Sequence, residues 1–411
     1  MKTTRRGFFK TAGLGTAAGL IGGTTLITPS AFAQTRHDRS AGVFDNGIIQ
    51  LSQNESGRGP GPRVLEAIRA HTSKRVGRGY APDYVPELQD AIASHFNIDR
   101  SNVILASGST WLLQGSVHAF VSEDKPLVTA GPTFSTSEAT ARGAGLPVTL
   151  VPLNAEAKLD LPEMVKVSKG AGLVYLCNPN NPSGTVHGPE TIDATVRAIL
   201  KESPDTYIHL DEAYIDYGDP AKIQTGLALT QEFKNVFITR SFSKAHALAG
   251  MRIGYAMGHR DTLNAIRNSW GMGDVSMLGA IAALTAFEDR EHIEWEREEN
   301  NRVKAFTVGA LNDLGYDVPE SHTNHLFVDL RAPARGFREA CMERKVAVGR
   351  DFPPWENTHC RISLGSMEEM EVAVRVFREV LGSVAGINGT ATVRRGRLRS
   401  RMRFLTLSPA C

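Results

Sequence analysis

Ser241-Phe242-Ser243-Lys244-Ala245-His246-Ala247-Leu248-Ala249-Gly250-Met251-Arg252-Ile253-Gly254 is the most informative stretch of this 411-residue chain. A lysine beside hydroxyl residues, with an arginine eight positions on, suits a covalently held phosphorylated aldehyde. The Lys244 amine forms a Schiff base, and Ser241, Ser243 and Arg252 hold a phosphate by charge-assisted hydrogen bonds. Ser-x-Ser-Lys alone is a weak signal, because most lysines next to serines are simply solvated. Its weight comes from what surrounds it.

Upstream, short apolar runs alternate with amphipathic stretches. Val103-Ile104-Leu105, Leu127-Val128-Thr129, Val148 to Val151, Leu173 to Cys177, Tyr207 to Leu210 and Val236 to Thr239 read as strands. Trp111 to Phe120 and Ile192 to Leu200 read as helices between them. That alternation predicts an α/β fold with a mainly parallel sheet covered on both faces. The polar, Gly- and Pro-rich segments recur at the carboxyl ends of the strands, the edge where open α/β sheets bind ligands. Ser276 to Leu314 reads as one long helical stretch. It leads to a second, smaller α+β domain with strands at Leu326 to Leu330 and Cys360 to Leu364 and a helix from Glu368 to Leu381.

Three strand ends carry chemistry. Asp211-Glu212-Ala213-Tyr214 places a carboxylate able to keep a pyridine nitrogen protonated, which makes the ring an electron sink, and a phenol for the ring oxygen. Asn178-Pro179-Asn180-Asn181-Pro182-Ser183-Gly184-Thr185 is a rigid turn that aims the Asn181 amide at the same oxygen. Each has a bland alternative as an exposed loop or an ordinary turn. Their order, each at a strand end, makes coincidence a poor explanation.

With these segments the chain resembles fold-type I pyridoxal-5′-phosphate (PLP) enzymes of the class I/II aminotransferases, and within them the histidinol-phosphate aminotransferases. The likeness runs from about Ile48 to Leu381. It implies a large domain with a mainly parallel seven-stranded sheet, a small domain built from both chain ends, and a homodimer with shared active sites. It implies that Lys244 is the Schiff-base lysine and proton shuttle, that Asp211 pairs with the pyridine nitrogen, and that Asn181 and Tyr214 meet the ring oxygen. Phe134 matches the aromatic that stacks on the ring. Ser109 and Thr110, after Gly108 at a helix start, match a phosphate cradle with Ser241, Ser243 and Arg252. Tyr80 matches a tyrosine that reaches the neighbouring subunit's cofactor phosphate, and Arg361 the clamp of the substrate α-carboxylate. Arg350 falls where the family often has a second arginine near the substrate side chain. Asn54, in Leu51-Ser52-Gln53-Asn54-Glu55-Ser56-Gly57, falls among the substrate-binding residues, and Ser56 stands where histidinol-phosphate enzymes commonly have a phosphate-binding tyrosine. The implied reaction is ping-pong transfer of an amino group between an amino acid and a 2-oxo acid. The same cofactor residues also serve racemases, lyases, cyclases and oxidases, so the substrate pocket decides the reaction class. A non-catalytic amino-acid sensor is a third reading, disfavoured by the intact Lys244, Asp211 and Arg361 set.

Thr4-Arg5-Arg6-Gly7-Phe8-Phe9-Lys10, an apolar stretch to Ile27 and Ala31-Phe32-Ala33 read as a twin-arginine export signal over residues 1–33. A periplasmic or otherwise exported enzyme is expected, loaded with cofactor before export, with no stable membrane insertion once the signal is removed. The division that follows is residues 34–75 as N-terminal arm and part of the small domain, 76–275 as the large domain, 276–382 as linker helix and small domain, and 383–411 as a basic tail. A net charge of +2 gives no reason to invoke nucleic acid. The scattered cysteines form no zinc motif, and His359-Cys360 lacks further ligands, so no metal is expected. A Cys341–Cys360 disulfide is left open by the spacing. His246 reads as a packing residue, His209 as a core histidine or a partner of Asp211, and Glu291 to Glu299 as a solvated helix face.

Overall fold

Leu173–Cys177 is apolar and buried at every position, as a parallel strand covered on both faces must be. The computed structural model describes residues 47–73, 76 and 84–382; residues 1–33, the tail 383–411 and Tyr80 lie outside the described residues. After β1 (Ile49–Leu51) come β2 (Val103–Ala106), β3 (Leu127–Gly131), β4 (Val148–Pro152), β5 (Leu173–Cys177), β6 (Tyr207–Asp211), β7 (Val236–Ser241) and β8 (Gly254–Gly258). The last seven form one sheet in the order β2-β8-β7-β6-β5-β3-β4. Only β8 runs against its neighbours β2 and β7. It went unread in the sequence because glycine stands at both of its ends and it adjoins the lysine segment.

Alternate residues of the strands feed two separate cores. Val128, Val174, Leu176, Ile208 and Ile238 pack on one side with helices Tyr84–Phe96, Pro189–Glu202 and Met277–Glu288. Leu127, Leu173, Tyr175 and Phe237 pack on the other with helices Ser109–Phe120 and Arg260–Trp270. The period of two along each strand makes this division. Between β3 and β5 the chain reverses its direction of travel across the sheet, and their pairing stops at Thr129 and Tyr175, short of both carboxyl ends, at the kind of switch point where such sheets bind ligands.

A third core collects Leu51, Leu311, Val328, Phe337, Ile362 and Phe377. It holds β9 (His325–Asp329), β10 (Val346–Val348) and β11 (His359–Ser363). β1 pairs parallel with β10, and β9 pairs antiparallel with β11. A helix over residues 367–382 covers it. Cys341 and Cys360 are both buried in it as free thiols. Among the described residues no helix is long and apolar enough to cross a membrane.

Two expectations need correction. The stretch Ser276 to Leu314 is two helices, Met277–Glu288 and Arg290–Asp313, parted at Asp289 with ψ 68°. The first buries Ala280, Ala282, Ala283 and Phe287 in the sheet's core, whereas the second lends Val303, Ala310 and Leu311 to the third core. An aspartate is too mild a helix breaker for the pattern to reveal the break. Nor is Glu291 to Glu299 wholly solvated. Glu296 is fully buried, taking two hydrogen bonds from Arg58 (2.6 and 2.7 Å) and one from the Tyr217 hydroxyl (2.8 Å). Arg58 also donates to the Gly365 carbonyl at 2.8 Å, so the segment after β1 is tied to both the long helix and the third core. Removing one partner of such a pair strands the other charge without water. Glu296→Ala is therefore expected to cost about 3–5 kcal/mol in urea unfolding, and exposed Glu291→Ala to stay within about 0.5 kcal/mol.

Candidate active site

The loop between antiparallel β7 and β8 carries Lys244 back over the carboxyl edge of the sheet. There Ser109, Thr110, Phe134, Asn181, Asp211, Tyr214, Ser241, Ser243, Lys244 and Arg252 line one cavity of about 250 Å³. The structure thus brings together every cofactor residue expected from the sequence that lies within the described residues. Tyr80 lies outside them.

At one end, helix Ser109–Phe120 starts at Gly108, and its first backbone N–H groups are free of intrahelical partners. Gly108 has φ 86°, and a Cβ there would strike the Arg252 guanidinium. Arg252 itself sits in the left-handed region at φ 58° and is anchored by a 2.6 Å bond from Nη1 to the Ala249 carbonyl. Gly254 in turn lies against the Ser109 backbone, too close for a side chain. The two glycines let an arginine and a helix N-terminus converge, which is the chemistry of an anion site.

The Asp211 carboxylate lies at the opposite end. It accepts from the Tyr175 hydroxyl at 2.6 Å, the Ala213 amide at 3.2 Å and the Thr239 hydroxyl at 3.4 Å. Burial pushes its pKa up against these bonds, and among the described residues no cationic side chain pairs with it. His209 does not touch Asp211. Its Nε2 meets the Thr239 hydroxyl at 2.7 Å, and Thr239 meets the aspartate, so the histidine acts at one remove. Burial lowers the His209 pKa to about 3, which keeps the ring neutral. His246 packs on Phe242 at 4.8 Å between ring centres and lies outside the cavity lining.

Between the two ends, the Lys244 amine donates to the carbonyls of Asn54 (3.2 Å) and Gln53 (3.4 Å) and stands 5.5 Å over the Tyr214 ring. Desolvation, reinforced by the Arg361 charge, lowers its pKa to about 8. The Tyr214 oxygen accepts from Asn54 at 2.9 Å and from Asn181 at 3.4 Å. Arg361 is buried, and its Nη1 reaches Asn181 Oδ1 at 2.8 Å while Nη2 reaches the Ser52 carbonyl. It opens onto a wider adjoining cavity of about 730 Å³ that shares Phe134, Asn181, Tyr214 and Lys244 and adds Arg350 and Asp351. Arg350 reaches Ser135 Oγ at 3.2 Å and stacks on Phe352.

Tyr175, Thr239, Ser363 and His325 belong to this network but were not read from the sequence. Tyr175 and Thr239 left a signal, since a polar tip inside an otherwise apolar strand needs a partner. The backbone carbonyls of Ser52, Gln53 and Asn54 left none.

The residues fit PLP. An anion cradle shares one cavity with a carboxylate that lacks a cation and an amine of depressed pKa. A lysine so placed over the carboxyl edge of a mainly parallel sheet defines a fold-type I PLP-dependent enzyme. The model of "Aminotransferase class I and II" matches residues 46–377. A histidinol-phosphate aminotransferase of Gluconacetobacter diazotrophicus is 32% identical over 343 residues, which is 82% of this chain and 91% of that protein. Another, from Moorella thermoacetica, is 29% identical over 345 residues, 84% of this chain and 87% of its own length. The crystal structure of histidinol-phosphate aminotransferase from Sinorhizobium meliloti, in complex with pyridoxal-5′-phosphate, matches with a TM-score of 0.73. It is 29% identical and covers 82% of this chain and 91% of that one. The chain belongs to the class I and II aminotransferase family. It is a PLP-dependent aminotransferase, moving an amino group between an amino acid and a 2-oxo acid.

Only the neutral amine attacks an aldehyde, and a lysine with a pKa of about 8 is roughly one-tenth neutral at pH 7. The rate of PLP capture by the apoenzyme, followed by the visible absorbance of the lysine-bound cofactor, is expected to rise about tenfold per pH unit below pH 8 and to level off above it. Lys244→Ala is expected to bind PLP without that band.

Proposed function

We propose that Lys244, Asp211, Tyr214 and Arg361 carry out transamination of an amino acid whose side chain bears an anionic group, in an exported homodimer. When bound, PLP supplies an aldehyde carbon and an electron-accepting ring. Arg361 clamps the substrate α-carboxylate bidentately, directing the Cα–H toward the lysine side of the cavity. With the cofactor held there, Lys244 would move the proton at the substrate Cα, as a general base then acid whose pKa lies near working pH. Asp211, held by the Tyr175 and Thr239 hydroxyls, would pair with the ring nitrogen. Tyr214 and Asn181 would hold the ring oxygen, and Phe134 would flank the ring. Asn54 steadies Tyr214.

One observation carries this reading: a buried guanidinium, Arg361, shares a cavity wall with Lys244. Arg350 in the same cavity supports an anionic side group. Histidinol phosphate fits poorly, because Ser56 provides no phenol, and its hydroxyl accepts the Arg58 amide at 3.3 Å. The Arg5-Arg6 leader supports export with cofactor loaded beforehand, away from cytoplasmic biosynthesis. Tyr80 would complete the partner subunit's phosphate cradle.

A half-reaction screen tests the proposal. Acidic amino acids, added singly to PLP-loaded enzyme, are expected to bleach the visible band and to release one oxo acid per site, with turnover resuming only when a 2-oxo acid is supplied. Sustained turnover without an acceptor would instead identify a racemase, lyase or oxidase, and no response to any amino acid a sensor. Arg361→Lys, which loses the planar fork, is expected to raise KM about tenfold or more and to leave the visible band in place.

A further inference from the structure

We propose that His325 is a positioning residue for the cofactor ring: by accepting a hydrogen bond from Asn54 it fixes that amide so that the phenolic proton of Tyr214 is left for the cofactor's ring oxygen. The inference rests on the role given to Tyr214 above.

Asn54 is almost fully buried, and its amide has a partner at every position. Oδ1 accepts from the Ser363 hydroxyl at 2.7 Å, and that hydroxyl accepts the Asn54 backbone N–H at 2.9 Å. Nδ2 lies 2.9 Å from the Tyr214 oxygen and 2.9 Å from His325 Nδ1. Two orientations of this amide compete. With the NH₂ group toward Tyr214 and His325, the phenol accepts from Asn54 and keeps its own proton to donate into the cavity. With the amide reversed, Tyr214 donates to Asn54 Oδ1 and has no proton left for the ring oxygen. The state of Nδ1 on His325 decides between them, because a bare Nδ1 can only accept, and of the two ends of the Asn54 amide only the NH₂ group donates.

The surroundings keep Nδ1 bare. His325 has no exposed surface, and burial together with the charges of Arg361 and Lys244 holds its pKa well below the ordinary histidine value. The neutral ring carries one proton, and with the Asn54 amide on the Nδ1 side the Pro182 carbonyl favours Nε2 as its place. That nitrogen is buried without a hydrogen-bond partner, on the side of the Pro182 carbonyl. The ring also meets Tyr214 edge-on at 5.2 Å, so it fixes the phenol by packing as well. A buried imidazole whose N–H is only poorly met, by the Pro182 carbonyl, is costly as a mere filler. It is accounted for if its other nitrogen is needed.

The test is a pH titration of the visible band in PLP-loaded enzyme, which reports how tightly the lysine-linked nitrogen and the ring oxygen share a proton. Losing a donor at the ring oxygen makes that oxygen more basic, so the midpoint moves up. Tyr214→Phe is expected to raise it by about one unit. His325→Phe, which keeps an aromatic ring but no acceptor, is expected to raise it by at least half as much. His325→Gln, whose carbonyl oxygen accepts from Asn54, is expected to restore the midpoint. The double variant is expected to match Tyr214→Phe alone, because both changes act through one hydroxyl. Ser363→Ala removes the other orienting bond and is expected to shift the midpoint the same way, so the inference survives poor folding of either His325 variant. If Tyr214→Phe leaves the midpoint unchanged, the Tyr214 role fails. If Tyr214→Phe shifts it while folded His325→Phe and Ser363→Ala do not, or if the double variant shifts additively, the His325 inference is overturned and the Tyr214 role stands.

Discussion

A carboxylate buried at the end of a strand covered on both faces, Asp211, sets the terms for the rest of the site. Burial favours its protonation, and a protonated acid cannot hold a cation. Tyr175 from β5 and Thr239 from β7 flank it with hydroxyl donors, and His209 backs Thr239 as a neutral ring. All four residues lie on three adjacent strands, so the register of the parallel ladder brings them into one layer. The same ladder aligns the carboxyl ends, and polar groups that a buried sheet excludes from its middle collect there.

Antiparallel β8 completes the arrangement. Because it runs against β2 and β7, its start lies at the edge where they end, and the loop before it sweeps Lys244 across that edge. Gly254, its first residue, lies against the Ser109 backbone and seats the helix N-terminus beside Arg252. The cofactor cradle is thus a product of strand direction as much as of residue type.

A second layer of control comes from the segment after β1, which crosses between the two larger parts of the molecule. Its carbonyls receive Lys244 and Arg361, its Asn54 amide holds Tyr214, and its Arg58 is locked to Glu296. The segment stays in place because Arg58 and Glu296 are both nearly free of solvent, so their separation would leave a charge unpaired. Substrate-side and cofactor-side residues are therefore fixed relative to one another through a buried ion pair remote from the chemistry.

The sequence by itself determined the fold class and nearly all of the cofactor set. Burial periodicity and strand-end position are local properties, and Lys244, Asp211, Asn181 and Ser109 each sit at a boundary that a short window reveals. Arg361 was legible only through the family resemblance, because an arginine inside a strand does not by itself announce a ligand. β8 and the break at Asp289 were not legible, because neither alters the apolar pattern enough to be seen. Tertiary structure alone decided that Glu296 is buried rather than solvated and that His325 orients Asn54. Those contacts join residues 238 and 271 positions apart. A hydrogen bond between such distant residues leaves no trace in the spacing of either one, because it exists only once separate cores have packed and brought both groups out of water.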